Sequence, residues 1–247
     1  MRPPASSEPS DLDAAGQIGE ERIHDSVART IGSWVLSGRY KPGETLPREG
    51  DMATGLGVSR TSIREAVKAL AAKGLLETRP RIGVRVQPRP DWRLLDPIVL
   101  SWHPDLSKDP ELLDSLIETR RIIEPAAAEL AARRGTQADL TRLESAFNAM
   151  RRAIPDDLEA CCAADMAFHR TVIEASHNVV LQTMVGTIEA ILTASFRLTT
   201  SLMDNQARTL GVHQRVLEAI RVHDTASART AMNNLLDIAV KDYRRGR

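Results

Sequence analysis

The stretch VSRTSIREAVKALAAKGLLE, residues 58–77, constrains the fold of this chain more than any other segment. Ser59 is a favourable N-cap, and Gly74 stands where the helix that follows the cap would end. Between them the apolar residues recur at intervals of three and four positions, at Ile63, Ala66, Val67 and Leu70. This spacing puts them on one side of a helix, so the stretch predicts an amphipathic helix whose apolar side packs on its own domain.

Arg60 and Arg64 lie at the start of this predicted helix, the end of a helix that attracts anions. Two arginines alone are more typical of a solvated helix end than of a binding surface. Their surroundings favour binding, because a helix over residues 18–36 and a short second helix come before them and two short strands follow. This is the element order of a winged helix-turn-helix. In that fold the second helix of the pair enters the major groove of DNA with its first residues.

The composition favours a mainly α protein. Hydrophobic residues make up 42% of the chain and aromatic residues only 3%, and the apolar positions follow helical spacing more often than alternation. No apolar run approaches the roughly 18 residues of a membrane span, and the polar, Pro- and Ser-rich start is unlike a signal peptide. The two cysteines, Cys161 and Cys162, are adjacent and too few for a disulfide framework. We therefore expect a cytoplasmic protein without membrane association.

Four segments are predicted along the chain. Residues 1–17 are predicted to form a disordered tail, 18–88 a winged helix-turn-helix, 89–108 a connector rich in proline and tryptophan, and 109–247 an all-helical antiparallel bundle. The charge is uneven, since residues 18–89 carry thirteen basic and eight acidic side chains while the whole chain is neutral. A basic N-terminal domain is consistent with nucleic-acid binding.

The segment LPREGDMATGLGVSRTSIREAVKALAAKGLLETRPRIGVRV, residues 46–86, resembles the DNA-binding domain of the GntR family of bacterial transcription regulators. The resemblance implies a winged helix-turn-helix that binds double-stranded operator DNA. The contacts that it implies at the helix start are Arg60, Thr61, Ser62 and Arg64. The candidate contacts in the wing, the two-stranded hairpin, are Arg79, Arg81 and Gly83.

The segment also departs from the family pattern in two places. Gly50 stands where many members have an arginine that contacts DNA, so that contact is not expected here. In the wing, Arg81 replaces the first glycine and Arg85 replaces a packed aromatic residue. The wing is still expected to bind the minor groove or the phosphate backbone, through Arg79 or Arg81.

The helical part resembles the FCD form of the FadR subfamily, whose bundle binds an effector and dimerises. The segments that carry this resemblance are ETRRIIEPAAAELAARR, DMAFHRTVIEASHNVVLQ and HQRVLEAIRVHD. Asp165 and His169 are four residues apart and share a helix face, and His213 lies on another helix. One carboxylate and two imidazoles suit a divalent transition metal such as Zn, Ni or Mn. On spacing alone, such an Asp/His pair is more often a surface pair.

The metal site implied by the subfamily is incomplete, because Leu235 occupies the place of a fourth ligand, a histidine of the last helix. Two interpretations follow from this. Asp165, His169 and His213 can hold a metal with an open coordination position, which water or the effector would fill. Alternatively the metal is lost, and the same residues bind the effector by hydrogen bonds.

The predicted effector is a small carboxylate. Arg120 matches a pocket arginine of the subfamily that would grip a carboxylate group, and Arg197 is a second candidate. The alternative for Arg120 is a salt bridge with Glu124, four residues further along the helix. The tryptophan-rich connector and the missing histidine are similar to those of sugar-acid regulators in this subfamily, which favours a sugar acid as effector.

The whole pattern predicts a homodimeric transcription regulator and not an enzyme. Repression relieved by the effector is favoured over activation. Two alternatives stay open from the sequence: a DNA-binding protein whose bundle only dimerises, and a metal-dependent hydrolase built on Asp165, His169 and His213. The hydrolase would need a general base near an open metal, and the sequence offers no separate candidate for it.

Overall fold

The computed structural model describes the backbone of residues 11–154, 156–199 and 203–245, and the side chains of residues 23–154, 156–193, 209–238, 240 and 241. The described residues are mostly helical, which confirms the predicted mainly α fold. The chain divides into two compact units, residues 1–104 and 105–247, called here the N-terminal and the C-terminal unit.

The N-terminal unit has the element order of a winged helix-turn-helix. Its helices and strands are α1 (Asp11–Leu36), α2 (Glu49–Leu56), α3 (Arg60–Ala72), β1 (Leu76–Arg79), β2 (Gly83–Val86) and α4 (Pro97–Ser101). The two strands pair antiparallel, with Leu76 opposite Val86 and Arg79 opposite Gly83. They form the wing.

The local sequence explains where α3 begins and which side of it is buried. Ser59 caps the helix, since its hydroxyl accepts a hydrogen bond from the Ser62 backbone N–H at 3.0 Å. Before it, α2 ends at Gly57, whose φ of +66° is left-handed. The α3 residues at the predicted apolar positions are buried: Ile63, Ala66, Val67 and Leu70. They pack with apolar side chains of α1 and the wing into one core.

The segment predicted as a connector, residues 89–108, mostly belongs to the N-terminal unit. Trp92 and Trp102 join the hydrophobic core of that unit, and the Lys73 ammonium pairs with the Asp96 carboxylate at 2.6 Å. The division of the chain falls after residue 104, which differs from the predicted end of the DNA-binding domain at residue 88. The helices and the two-stranded wing of this unit form a small core, and the two tryptophans add to it.

Gly74 is the glycine of this unit whose replacement should lower the free energy of unfolding most. Its φ is +75°, and a β-carbon there would lie 2.0 Å from the Asp91 carbonyl oxygen. We expect Gly74→Ala to lower the free energy of unfolding by about 3 kcal/mol or more, because backbone strain and the main-chain clash add. Urea unfolding measures this loss. Gly38→Ala is the matched control, since Gly38 has the same φ with no atom within 4 Å. Equal losses in both variants would contradict the clash.

The C-terminal unit is a helical bundle. Its helices are α5 (Pro110–Arg134), α6 (Gln137–Ala153), α7 (Leu158–Ala175), α8 (Val179–Gln182), α9 (Val185–Thr199), α10 (Met203–Arg221) and α11 (Thr225–Arg245). Helix α5 packs along α11 and α7, and α6 packs along α7 and α10. The consecutive pairs α6/α7 and α10/α11 also pack on each other, and the short connections between them make these neighbours antiparallel. This arrangement brings α5, α7 and α10 together around the cluster described below.

A buried carboxylate fixes the start of α6. Thr136 and Asp139 form a reciprocal capping box there. Asp139 also accepts hydrogen bonds from Arg142 at 2.7 Å and from His177 at 2.8 Å, so it bridges an arginine and a histidine. Burial raises the pKa of Asp139, but the hydrogen bonds from Thr136, Arg142 and His177 outweigh burial and hold the pKa well below its usual range.

The first helix begins earlier than predicted. Helix α1 starts at Asp11, so residues 11–17 are helical although they were expected in the tail 1–17; residues 1–10 lie outside the described part. Alanine has high helix propensity, and the two aspartates of this stretch suit the positive end of a helix. Within the described residues, no helix combines the length and the apolar character that crossing a membrane requires.

Candidate functional site

A concave surface lies where the starts of α2 and α3 meet the wing, and we call it the recognition groove. The residues that line it include Tyr40, Pro47, Gly50, Arg60, Arg64 and Ile82. Both arginines predicted to contact DNA line this groove. The start of α3 is therefore an accessible surface, while the apolar side of the same helix is in the core.

Contacts with α2 position both arginines. The Arg64 Nε donates to the Glu49 carboxylate at 2.8 Å, while the Arg64 side chain stays 63% exposed. The Arg60 guanidinium covers Gly50, since a β-carbon at position 50 would lie 3.2 Å from the Arg60 Nη2. The absence of a side chain at position 50 therefore leaves room that Arg60 occupies.

Thr61 and Ser62, the other two predicted contacts of α3, are placed differently from each other. Thr61 is exposed. Ser62 is only 7% exposed, and its hydroxyl lies 2.9 Å from the Ser59 hydroxyl, so its side chain completes the N-cap. Ser62 therefore offers less of its side chain to DNA than Thr61 does. Successive helical residues turn by about 100°, so consecutive residues of α3 cannot all face one side.

The tip of the wing contains two residues in left-handed backbone conformations, Arg81 with φ +63° and Gly83 with φ +103°. Arg79 forms an ion pair with the neighbouring Glu77 at 2.8 Å and remains half exposed. Arg85 instead contacts its own domain, because its Nε donates to a backbone carbonyl of the loop before α2 at 2.8 Å. Arg79 and Arg81 are thus the cations that the wing offers to a phosphate.

Arg81→Gly tests the wing with little change in stability. Left-handed backbone costs an arginine about 1 kcal/mol that glycine avoids, while glycine gains a similar amount of freedom in the unfolded chain. We expect DNA affinity to fall about 3- to 10-fold and the slope of log K against log salt to shrink by about one for each half-site that loses the contact. Fluorescence anisotropy at several salt concentrations measures both, and an unchanged slope would contradict a phosphate contact.

The second candidate site is buried in the C-terminal unit. Asp165 and His169 come from α7 and His213 from α10, and one ligand atom from each residue lies within 4.8 Å of the others. All three side chains are buried. The His213 Nε2 lies 3.0 Å from the Asp165 Oδ1, and the His169 Nε2 lies 3.7 Å from the Asp165 Oδ2. The three residues predicted to bind a metal are therefore close together in the fold.

Hydrogen bonds on the far side of each imidazole determine which nitrogen carries the proton. The His169 Nδ1 contacts the Glu124 carboxylate, and the His213 Nδ1 lies 2.9 Å from the Thr209 backbone carbonyl. Both partners can only accept, so each Nδ1 donates, and when a ring is neutral its unprotonated Nε2 faces Asp165. Consistently, the His213 Nε2 makes no well-oriented hydrogen bond with any residue in the described part of the chain.

This cluster fits a divalent metal. When both imidazoles are neutral, their Nε2 lone pairs and those of the carboxylate face one another, and they repel unless a cation lies among them. Each imidazole is also oriented by an acceptor behind it, as histidine ligands of metals are. Two nitrogen donors and one oxygen donor suit Zn, Ni or Mn better than Ca or Mg, which prefer oxygen ligands only.

The carboxylates at this site are ionised at neutral pH. Burial raises the pKa of Asp165, but His169, followed by His213 and Arg120, outweighs burial and holds it below its usual range. Burial likewise raises the pKa of Glu124, and Arg120 and His169 lower it to about 2. Both groups therefore supply negative charge that a bound cation would offset.

Arg120 is buried beside the cluster, and its Nε donates to the Glu124 Oε1 at 2.5 Å. The salt bridge that the sequence left as an alternative is therefore present. The structure gives Arg120 no other hydrogen bond to a described residue. Leu235, in place of the fourth ligand, is buried in α11. The side chain of Arg197 lies outside the described residues.

Glu124 is the residue of this site that the sequence assigned only to a salt bridge. It lies 45 positions before His169, so no spacing rule links the two residues. Its position one helical turn after Arg120 was visible in the sequence and predicted only the contact with Arg120. The contact with His169 depends on how α5 packs on α7.

An exposed helix start with two arginines beside a wing is the architecture of a DNA-binding regulator. Residues 23–86 match the profile of bacterial regulatory proteins of the gntR family, and residues 115–237 match that of the FCD domain. The galactonate operon transcriptional repressor of Escherichia coli K12 is 37% identical over 208 residues, covering 84% of this chain and 90% of that protein. The chain therefore belongs to the GntR family of bacterial transcription regulators, with an FCD domain, and these relatives are regulators and not enzymes.

Other relatives cover a similar share of the chain. The Glc operon transcriptional activator of Escherichia coli K12 is 28% identical over 240 residues, 90% of this chain and 92% of that protein. A solved Streptococcus agalactiae GntR structure has a TM-score of 0.50 at 26% identity, covering 88% of this chain and 99% of its own. The Listeria monocytogenes regulator Lar has a TM-score of 0.64 at 21% identity, covering 90% and 96%, and supports the fold alone.

Proposed function

We propose that this protein is a cytoplasmic, homodimeric repressor of sugar-acid metabolism genes that a small carboxylate effector releases from operator DNA. The observation that carries the proposal is the burial of Arg120 beside the Asp165–His169–His213 cluster. An arginine whose terminal nitrogens hydrogen-bond to no described residue and a metal-type cluster are together complementary to one carboxylate-bearing ligand. The similarity to the galactonate operon repressor supports both the direction of control and the class of effector.

Asp165, His169 and His213 would hold the metal, with Zn, Ni or Mn as the candidates. When bound, the metal supplies a positive centre that attracts an oxygen atom of the effector. Three protein ligands leave coordination positions free for that oxygen, since Leu235 provides an apolar side chain where the subfamily has a fourth ligand. Arg120 would bind the carboxylate of the same effector by a charge-assisted hydrogen bond, with Arg197 as a second candidate.

The N-terminal unit would read DNA as one half of a symmetric pair. Helix-turn-helix dimers bind two half-sites one helical turn apart, so we propose a pseudo-palindromic operator. Arg60, Thr61 and Arg64 would contact it from α3, and Arg79, Arg81 and Gly83 from the wing. The effector would act by a population shift, because it binds the DNA-incompetent arrangement of the dimer better than the competent one.

The proposal is tested with protein stripped of metal by a chelator. Zn, Ni and Mn are titrated separately, each with and without a panel of two- to six-carbon hydroxy acids that includes galactonate. Circular dichroism gives the unfolding temperature, and fluorescence anisotropy gives the affinity for a duplex that the protein has selected from random DNA. A ligand at 100 times its Kd adds about 2.7 kcal/mol to the stability of the folded state.

The expected result is that one acid raises the unfolding temperature when metal is present and weakens DNA binding. Stabilisation by an acid without metal would mean that Arg120 and the histidines bind it by hydrogen bonds alone. If neither metal nor acid changes the unfolding temperature or the DNA affinity, the proposal fails. The bundle would then serve dimerisation only, and sedimentation of the purified protein would show the dimer.

A further inference from the structure

We propose that Glu124 is a positioning residue that selects the metal-binding tautomer of His169 and joins it to Arg120. This inference concerns the same buried site and rests on the proposed function. It goes further because it gives a role to a residue that is neither a metal ligand nor an effector contact. It also predicts a property of the metal-free protein that can be measured directly.

The two carboxylate oxygens of Glu124 have different partners. Oε1 accepts from the Arg120 Nε at 2.5 Å, and Oε2 contacts the His169 Nδ1. The Glu124 side chain is 1% exposed, so water does not compete for either oxygen. Both contacts need an acceptor, because the Arg120 Nε can only donate and the His169 Nδ1 donates whenever Nε2 is to bind a metal.

Glutamine at position 124 cannot satisfy both partners, which makes Glu124→Gln informative. Its amide has one accepting oxygen and one donating nitrogen. Arg120 requires the oxygen, so the amide nitrogen would face the His169 Nδ1. That ring nitrogen would then have to accept, and the proton would move to Nε2, the atom that faces Asp165. A protonated Nε2 has no lone pair left for a metal.

Removing Arg120 should reverse this effect. In the double variant Arg120→Met with Glu124→Gln, nothing forces the amide oxygen toward position 120. The amide can rotate so that its oxygen accepts from the His169 Nδ1, and Nε2 is again free to bind metal. Recovery of metal affinity by a second substitution in the same pocket is not expected if Glu124 merely stabilises the bundle.

Asp139 provides a matched control. Like Glu124, it is a buried carboxylate that accepts from an arginine and a histidine, here Arg142 and His177. It belongs to the α6 capping box and is not among the cluster residues. Asp139→Asn should therefore lower the unfolding temperature and leave metal affinity unchanged, whereas Glu124→Gln should lower metal affinity.

The experiment has two readouts on the full-length protein. Long-range ¹H–¹⁵N correlation spectra of the histidine rings, recorded without metal at about pH 8, distinguish the Nδ1–H from the Nε2–H tautomer of His169. Competition with a chelating indicator gives the Kd for Zn. We expect Nδ1–H in the wild type, Nε2–H and a 10- to 100-fold weaker Kd in Glu124→Gln, and recovery of both in the double variant.

Two outcomes would overturn the inference. One is a Glu124→Gln protein that keeps the Nδ1–H tautomer of His169 or binds Zn within about twofold of the wild type. The other is a double variant that binds Zn as weakly as Glu124→Gln. If the wild type itself binds no metal, the metal part of the proposed function fails, and the tautomer spectra alone decide the role of Glu124.

Discussion

Replacing Arg64 by alanine is expected to weaken binding to operator DNA by about 100-fold or more, with the protein still folded and dimeric. In the proposed dimer the arginine is lost from both half-sites, so the loss of binding free energy is doubled. The variant also leaves the Glu49 carboxylate unpaired, because Glu49 is the partner of the Arg64 Nε at 2.8 Å. An unpaired carboxylate in the recognition groove would repel phosphates and add to the loss.

The measurement is an anisotropy titration of a labelled duplex selected by the wild-type protein, at fixed salt. Lys68→Ala is the matched control. It removes the same charge from the same helix, but Lys68 is paired with Glu65 at 2.7 Å and is not among the residues that line the groove. We expect Lys68→Ala to bind within about threefold of the wild type. Wild-type affinity in Arg64→Ala would refute the placement of α3 against DNA.

Asp165→Asn is expected to abolish the stabilisation of the protein by divalent metal. In the wild type, the proposed metal at 100 times its Kd would add about 2.7 kcal/mol, which corresponds to a rise in unfolding temperature of roughly 5–10 °C. Asparagine has nearly the same shape but no charge, and its amide can donate to the His213 Nε2, which lies 3.0 Å from the Asp165 Oδ1. The metal-free variant should therefore remain folded and fail only in its response to metal.

Circular dichroism melts of metal-stripped protein, with and without added Zn, Ni or Mn, check this prediction. Glu159→Gln is the control, since Glu159 is an exposed carboxylate on the same helix outside the cluster. It should keep the full rise. An Asp165→Asn protein that still gains several degrees from metal would place the ion elsewhere in the chain.

The elements of the N-terminal unit could be predicted from the sequence because each rests on local chemistry. Ser59 as a cap, the apolar spacing of α3 and the glycine at the end of α2 act within a few residues. The family and the FCD domain were likewise predicted and are confirmed. The burial of Ser62 could have been predicted in the same way, since Ile63 and Val67 already define the buried side of α3.

What the sequence left open depends on contacts between distant segments. Trp92 and Trp102 were expected in a connector, and their place in the core of the N-terminal unit follows from tertiary packing. The sequence left two roles for Arg120, an effector contact or a salt bridge with Glu124. The packing of α5 on α7 gives Glu124 a second partner, His169, and Glu124 pairs with the Arg120 Nε, so the two roles do not exclude each other. Side-chain contacts between helices of a bundle are not encoded by periodicity, because periodicity gives a buried face and not its neighbour.

The placement of the tryptophans gives the protein a built-in optical reporter. The chain has three tryptophans, and Trp34, Trp92 and Trp102 all belong to the N-terminal unit. Emission excited at wavelengths that tyrosine does not absorb therefore reports only on the N-terminal unit, while the proposed metal and effector residues belong to the unit that carries no tryptophan. A change in that emission when ligand is added would show, without a label, that binding in one unit alters the surroundings of the tryptophans in the other.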